Sequence, residues 1–204
     1  QDLIFFSTFL IPIFIIIILN STLYDGWRHL YFIYPSFLMI SIYGLNLIKI
    51  VILKKKDLLI NFLTCFLVLQ IFIWMYLNHP FQYVYFNLLA EKNFNKNFEM
   101  DYWGISNKIA LEYIAKKTNK KVNVYNLNTS DLALSNKILK KKNRDLISVT
   151  YDLSEANYII NSFRDWNGAT KPQDYLIPSN FKILYEIKVD GVTINSIYKK
   201  NKIF

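Results

Sequence analysis

The sequence predicts three transmembrane helices followed by a small α/β extracytoplasmic domain that closes in an antiparallel hairpin. Three observations carry this reading. Residues 3–19, 30–53 and 58–77 are apolar runs long enough for an α-helix to cross about 30 Å of hydrocarbon at about 1.5 Å per residue. From residue 104 onward the apolar spacing alternates between helical and strand periods. Asp190-Gly191 separates two strand-like segments, and Asp-Gly suits a two-residue hairpin turn because both positions need positive φ. The expected layout is a membrane region over 1–78, an interfacial junction over 79–103 and the α/β domain over 104–204.

The first run is apolar except for Ser7 and Thr8. It lacks the basic flank and small-residue cleavage site of a signal peptide, so it reads as a membrane helix. The chain opens on apolar sequence at Gln1, which reads as a fragment without its upstream part. A polar island, residues 21–35, precedes the second run, which is broken only by serines, Gly44, Asn46 and Lys49. The short connector Lys54-Lys55-Lys56-Asp57 leads into the third run. Its charge places it in the cytoplasm, and the island and everything after Leu77 outside. Tyr24, Trp27, Tyr31, Tyr34, Trp74 and Tyr76 then form an aromatic belt at the outer boundary.

Pro80 ends the third helix. Phe81, Tyr83, Val84, Tyr85 and Phe86 are expected to lie along the bilayer surface. Ile105, Ile109, Ala110, Tyr113 and Ile114 share one face of a helix over 106–117. Val122 and Val124 mark a strand. Thr129 or Ser130 caps a helix running to about Lys141, and two short strands follow at 146–151 and 157–161. Residues 164–178 read as loop. In the hairpin, Val189 faces Val192, Ile187 faces Ile194 and Ile183 faces Tyr198.

The chain of 204 residues is 53% apolar and 17% aromatic, with a net charge of +9. Lysines outnumber arginines 21 to 3. This surplus reads mainly as solvated surface, with anionic lipid headgroups as its partner. The single cysteine, Cys65, excludes an internal disulfide and a cysteine-based metal site. No glycine-rich phosphate loop, no His/Cys cluster with metal spacing and no Gly-x-Ser-x-Gly is present. Nucleic acid is set aside because the basic domain is placed outside the cytoplasm.

The island holds the best candidate site. Arg28 is one of three arginines, and His29 and His79 are the only histidines. All three are expected at the outer face. Arginine forks two N–H donors onto a phosphate, histidine can donate to it or move a proton, and Asp25 can orient either. Tyr24 and Trp27 add aromatic faces for a sugar or acceptor. A plainer reading makes Arg28 and His29 interfacial anchors. Glu99 and Asp101 are two apart and can hold a sugar hydroxyl or a cation, with Trp103 as a stacking platform. Their competing reading is an acidic start to the following helix. Gln82, Tyr83 and Asn87 either line the same mouth as His79 or pack at the interface.

Four strings, at three places in the chain, carry a resemblance. Tyr24-Asp-Gly-Trp-Arg-His-Leu-Tyr-Phe-Ile-Tyr-Pro35, opening a membrane helix, resembles the helix start in bacterial relatives of the protein O-mannosyltransferases. His79-Pro-Phe-Gln-Tyr-Val-Tyr-Phe-Asn87 and Phe98-Glu-Met-Asp-Tyr-Trp-Gly-Ile-Ser106 resemble the junction after their last membrane helix. Tyr185-Glu-Ile-Lys-Val-Asp-Gly-Val192, with Ile197-Tyr198, resembles the end of their soluble tail. The resemblance implies a GT-C glycosyltransferase, an integral protein of the bacterial inner membrane. It would move a sugar from a polyprenyl-phosphate donor to an extracytoplasmic glycan, lipid or protein acceptor. The catalytic carboxylate of that superfamily lies in the first extracytoplasmic loop, which no residue here matches. No catalytic or metal-binding residue is therefore assigned, the divalent-metal requirement of the whole enzyme stays open, and the fragment alone is expected to be inactive. Arg28, His29, Asp25 and His79 would sit at the carrier phosphate. The alternative is a membrane-anchored binding module without activity. A third possibility places the α/β domain in the cytoplasm, which a cysteine introduced near Asn128 would report.

Overall fold

The structure, a computed structural model, describes residues 2–23, 28–51, 57–87, 100–128, 130–163 and 177–201. It divides into two compact units, Gln1–Ile71 and Phe72–Phe204. The division falls inside the third helix.

The first unit is helical. α1 (Asp2–Ile18) carries Pro12 in its interior. It ends at Asn20, whose φ is +50°. The Ser21 amide bonds the Ile16 carbonyl and the Asn20 amide bonds that of Ile17, the pairing that closes a helix through a left-handed residue. A 3-10 segment, Arg28–Ile33, runs directly into α2 (Tyr34–Val51). α1 lies against α2, where Thr8 Oγ1 and Ser36 Oγ are 2.7 Å apart and the Phe9 and Phe37 rings are 5.6 Å apart. α3 spans Asp57–Leu77. Two grooves run between these helices. One of about 200 Å³ separates α1 from α2, and one of about 400 Å³ separates α2 from α3; both are lined in part by Ile42 and Asn46.

Two helices among the described residues, not three, are long and apolar enough to cross a membrane: His29–Val51 and Leu58–Leu77. The first apolar run forms α1, a shorter apolar helix than these two, with 17 described residues. α3 is apolar on all sides, and Phe62, Phe66, Leu67 and Phe72 all stand exposed. A helix apolar all round belongs in a core or a bilayer.

The second unit is α/β. It begins with the last turns of α3 and a 3-10 turn at Gln82–Val84. α4 (Ile105–Lys117) leads to β1 (Val122–Asn126); α5 (Leu132–Lys137) and α6 (Lys141–Arg144) lead to β2 (Ile147–Thr150). β3 (Tyr158–Asn161), β4 (Phe181–Val189) and β5 (Val192–Lys200) complete a five-stranded mixed sheet of order β2-β1-β3-β5-β4. β2, β1 and β3 are parallel; β5 runs antiparallel to both neighbours. Leu111 and Ile114 of α4 pack with Val124, Ile160, Ile194 and Ile197 of the sheet, all fully buried. Each such side chain contributes about 1.5–3 kcal/mol relative to exposure. Ile159, Phe181 and Tyr198 form a smaller cluster with Ala156.

Several local expectations are corrected. The helix after β1 is capped by Asp131, whose carboxylate accepts from the Ala133 and Leu134 amides at 2.8 and 3.1 Å, and it breaks after Lys137 instead of running on to Lys141. Phe81 and Val84 do not lie along a bilayer surface: both are buried in the α/β core, with Phe86 packed against it. Trp74 also packs on that core. The expected loop over 164–178 lies outside the described residues up to 176.

The closing pair turns at Asp190 and Gly191, with φ of +49° and +79°. It is part of the five-stranded sheet and not a regular hairpin. Val189 faces Val192 and Ile183 faces Tyr198, as the sequence predicts, but Ile187 faces Asn195 and not Ile194. Two register shifts, between Ile187 and Lys188 and between Ile183 and Tyr185, slip the middle by one residue and then restore it. A one-residue slip exchanges the faces of the sheet.

Candidate functional site

The expected site residues fall into three groups. Tyr24, Asp25, Trp27 and Glu99, together with the side chain of Arg28, lie outside the described residues. The Arg28 backbone opens the 3-10 segment that leads into α2, and His29 follows it with its side chain exposed. His79 belongs to the second unit. It is exposed just past the end of α3, and its Nδ1 sits 2.7 Å from Gln82 Nε2. His79 and Gln82, expected to line one mouth, are therefore in contact with each other. Trp103 is 62% exposed, with the Tyr102 ring edge-on to it at 5.0 Å.

Asp101 is fully buried. Its Oδ1 accepts from the Ile105 amide at 3.0 Å, its Oδ2 from the Ser106 amide at 3.1 Å, and the Ser106 hydroxyl also donates to Oδ2. A carboxylate on the first amides of a helix satisfies donors that have no intrahelical partner and meets the positive end of the helix dipole. The helix-start reading describes this carboxylate; no face of it is open to a sugar hydroxyl. The Tyr83 hydroxyl donates to the same Oδ1 at 2.5 Å. Burial, then the Asp101 charge, then this hydrogen bond push the Tyr83 phenol far above its ordinary value, so it stays a donor.

From Asp101 a polar network runs through the unit. Asn195 Nδ2 donates to Ser106 Oγ at 2.7 Å and to Asn107 Oδ1 at 3.1 Å. Asn107 Nδ2 donates to Ser130 Oγ at 2.8 Å. Asn126 Nδ2 donates to the Ser130 carbonyl. Beyond the ends of β1 and β3, Asn128 Nδ2 donates to Asn161 Oδ1 at 2.8 Å, and the Ser162 amide donates to Asn128 Oδ1 at 2.7 Å. Gly104, at φ +66°, lets the chain pass Ser130 closely, since a Cβ there would stand 2.8 Å from the Ser130 Cβ. The network fixes the carboxyl edge of the parallel strands to the start of α4. Sequence reading passed over these asparagines because they resemble the lysine- and asparagine-rich background. Asn126, Asn128 and Asn161 lie at or just past strand ends, where backbone groups need side-chain partners; Asn107 and Asn195 lie inside α4 and β5 and carry no such signal.

Among the described residues no group of three His, Cys, Asp or Glu side chains is placed to hold a metal ion. No protein-family model, curated protein or solved structure matches the chain.

Proposed function

We propose that this chain is the C-terminal part of an integral membrane glycosyltransferase of the GT-C type, in the bacterial inner membrane, with its α/β unit extracytoplasmic. It moves a sugar from a polyprenyl-phosphate donor to an extracytoplasmic acceptor. The observation that carries the reading is the Tyr24–Pro35 string, which resembles the helix start of the bacterial mannosyltransferase relatives and opens a helix of membrane length. The α/β unit that follows agrees with the order of parts in those proteins. When the glycosyl bond breaks, the carrier phosphate leaves as an anion. Charge builds on it in the transition state, so a fixed guanidinium at Arg28 stabilises that state more than the ground state. His29 donates a further hydrogen bond to the same group.

The test uses the full-length protein. Arg28→Ala and Arg28→Lys are compared with wild type for membrane insertion and for sugar transfer from a labelled polyprenyl-phosphate donor. Arg28→Ala is expected to lower transfer by about 10²-fold or more, the scale for loss of one transition-state donor, with partial recovery in Arg28→Lys. Unchanged transfer makes Arg28 an interfacial anchor.

A non-enzymatic anchored module is the second reading. The capping role of Asp101 favours it, because that acid serves the fold. Absence of transfer from every donor by the full-length protein decides for this second reading.

A further inference from the structure

Charge in the α/β unit is sorted along the strand direction. β1 and β2 start side by side, with Val122 opposite Ile147. The segment before β1, residues 116–121, carries four lysines and no acid; the segment before β2, residues 137–146, carries four lysines and Arg144 against one acid, Asp145, and Glu155 stands before β3. All nine cations are exposed. β4 starts and β5 ends at the same edge, with Lys182 opposite Lys199 and Lys200 opposite Phe181. Asp101, Asp131, Asp152 and Asp190 belong to the other edge, at the start of α4, after the ends of β1 and β2, and at the β4–β5 turn. Among the described residues cations dominate the first edge, whereas at the other these acids stand beside Lys108 and Lys188. The last turns of α3 also join the unit at the acidic edge, where Trp74 Nε1 donates to Asp190 Oδ2 at 2.5 Å. The 13 residues of α4 separate the two edges, a distance of about 20 Å.

We infer that the basic edge binds an anionic glycan polymer, one that carries phosphodiester or carboxylate groups along its length. Lysine is a compact, hydrated point charge, suited to a flexible run of anions more than to one bidentate contact. Cations spread over two adjacent segments make a field and not a pocket. Neither segment holds an aromatic side chain on which a nucleobase could stack. A lipid surface is the rival occupant, since Leu134 and Ile138 are exposed beside the lysines. The distance of this edge from the point where α3 joins favours a polymer in solution. The preference for a glycan over a nucleic acid rests on the extracytoplasmic placement proposed above.

The test uses the full chain in neutral-detergent micelles with fluorescent dextran sulfate as the probe. Neutral dextran, duplex RNA and vesicles containing phosphatidylglycerol are the other arms. Dextran sulfate is expected to bind and neutral dextran not, with affinity falling steeply as salt rises and released counterions are replaced. Lys140→Glu/Lys141→Glu/Lys142→Glu should weaken binding by roughly tenfold or more. Lys116→Glu/Lys117→Glu/Lys120→Glu on the other segment should do the same, which covers misfolding of either variant. Lys108→Glu/Lys188→Glu, at the acidic edge, should stay within about twofold. No binding of dextran sulfate, unchanged binding in both triple variants, or tighter binding to duplex RNA or to the vesicles overturns the inference. Transfer by the Arg28 variants reads the enzyme proposal separately.

Discussion

Asp101 holds together three pieces of chain: the turn after α3, through Tyr83; the start of α4, through the Ile105 and Ser106 amides; and, by way of Ser106, Asn195 of β5. Removing the charge leaves buried donors facing a weaker acceptor. Asp101→Asn is expected to cost about 2 kcal/mol and Asp101→Ala about 3 kcal/mol or more in denaturant unfolding. Tyr83→Phe should cost about 1–2 kcal/mol in wild type and less in the Asp101→Asn background, since the two share one hydrogen bond. The Tyr83 phenol is raised above its ordinary value of 10.0. Its contribution is therefore complete below pH 10 and erodes as pH climbs beyond it, because the unfolded chain releases that proton first. Tyr83→Phe should lose this alkaline decline. If Asp101→Asn unfolds with wild type, the carboxylate is not a structural cap. The acid was legible in the sequence, and so was its place just before a helix. Its partners were not: Tyr83 lies 18 residues upstream in a segment whose apolar spacing suits a bilayer surface as well as a protein core.

Hydrophobic spacing located the elements of the α/β unit well, because helix and strand periods are set by backbone geometry. It could not say what covers an apolar face, and this is why Phe81 and Val84 read as interfacial. The middle of the β4–β5 register, at Ile187, departed from the expected pairing for a similar reason. Asp190-Gly191 fixes the turn, but nothing in the spacing of β5 marks the extra residue that brings Asn195 opposite Ile187. That slip matters, since Asn195 is the side chain that reaches Ser106 and Asn107. The same turn anchors the end of α3. Trp74 donates to Asp190 and meets the Tyr85 ring edge-on at 4.9 Å. Trp74→Phe keeps a ring against Tyr85 and removes the donor to a charged acceptor, a bond worth about 1.5–3 kcal/mol, less where water competes. Amide exchange at Asp190 and Gly191 is the measurement. Faster exchange in Trp74→Phe, with exchange in β1 unchanged, is the expected result. Equal exchange at the turn would mean that ring packing alone holds α3 there.

For the whole molecule the decisive property is the side of the membrane on which the α/β unit sits. Both proposals need it outside, because a polyprenyl-linked donor is used there and the glycan polymer is placed there. The charge of the connector 54–57 argues for that orientation. The excess charge of the α/β unit itself is no counter-argument, since long domains cross regardless of charge. Asn128 is a poor reporter position: its amide is tied to Asn161 and to the Ser162 amide, and a cysteine there would unpick both. Tyr151 is 86% exposed beside the end of β2 and is the better choice. In a Cys65→Ser background, Tyr151→Cys should react with a membrane-impermeant maleimide in intact spheroplasts. Lys55→Cys in the connector should react only after lysis. The reverse pattern would put the α/β unit in the cytoplasm. An acceptor in the envelope would then be out of reach, and the lysine edge would face nucleic acid and not glycan. One labelling pair therefore tests the compartment on which both proposals depend, before any donor or polymer has been identified.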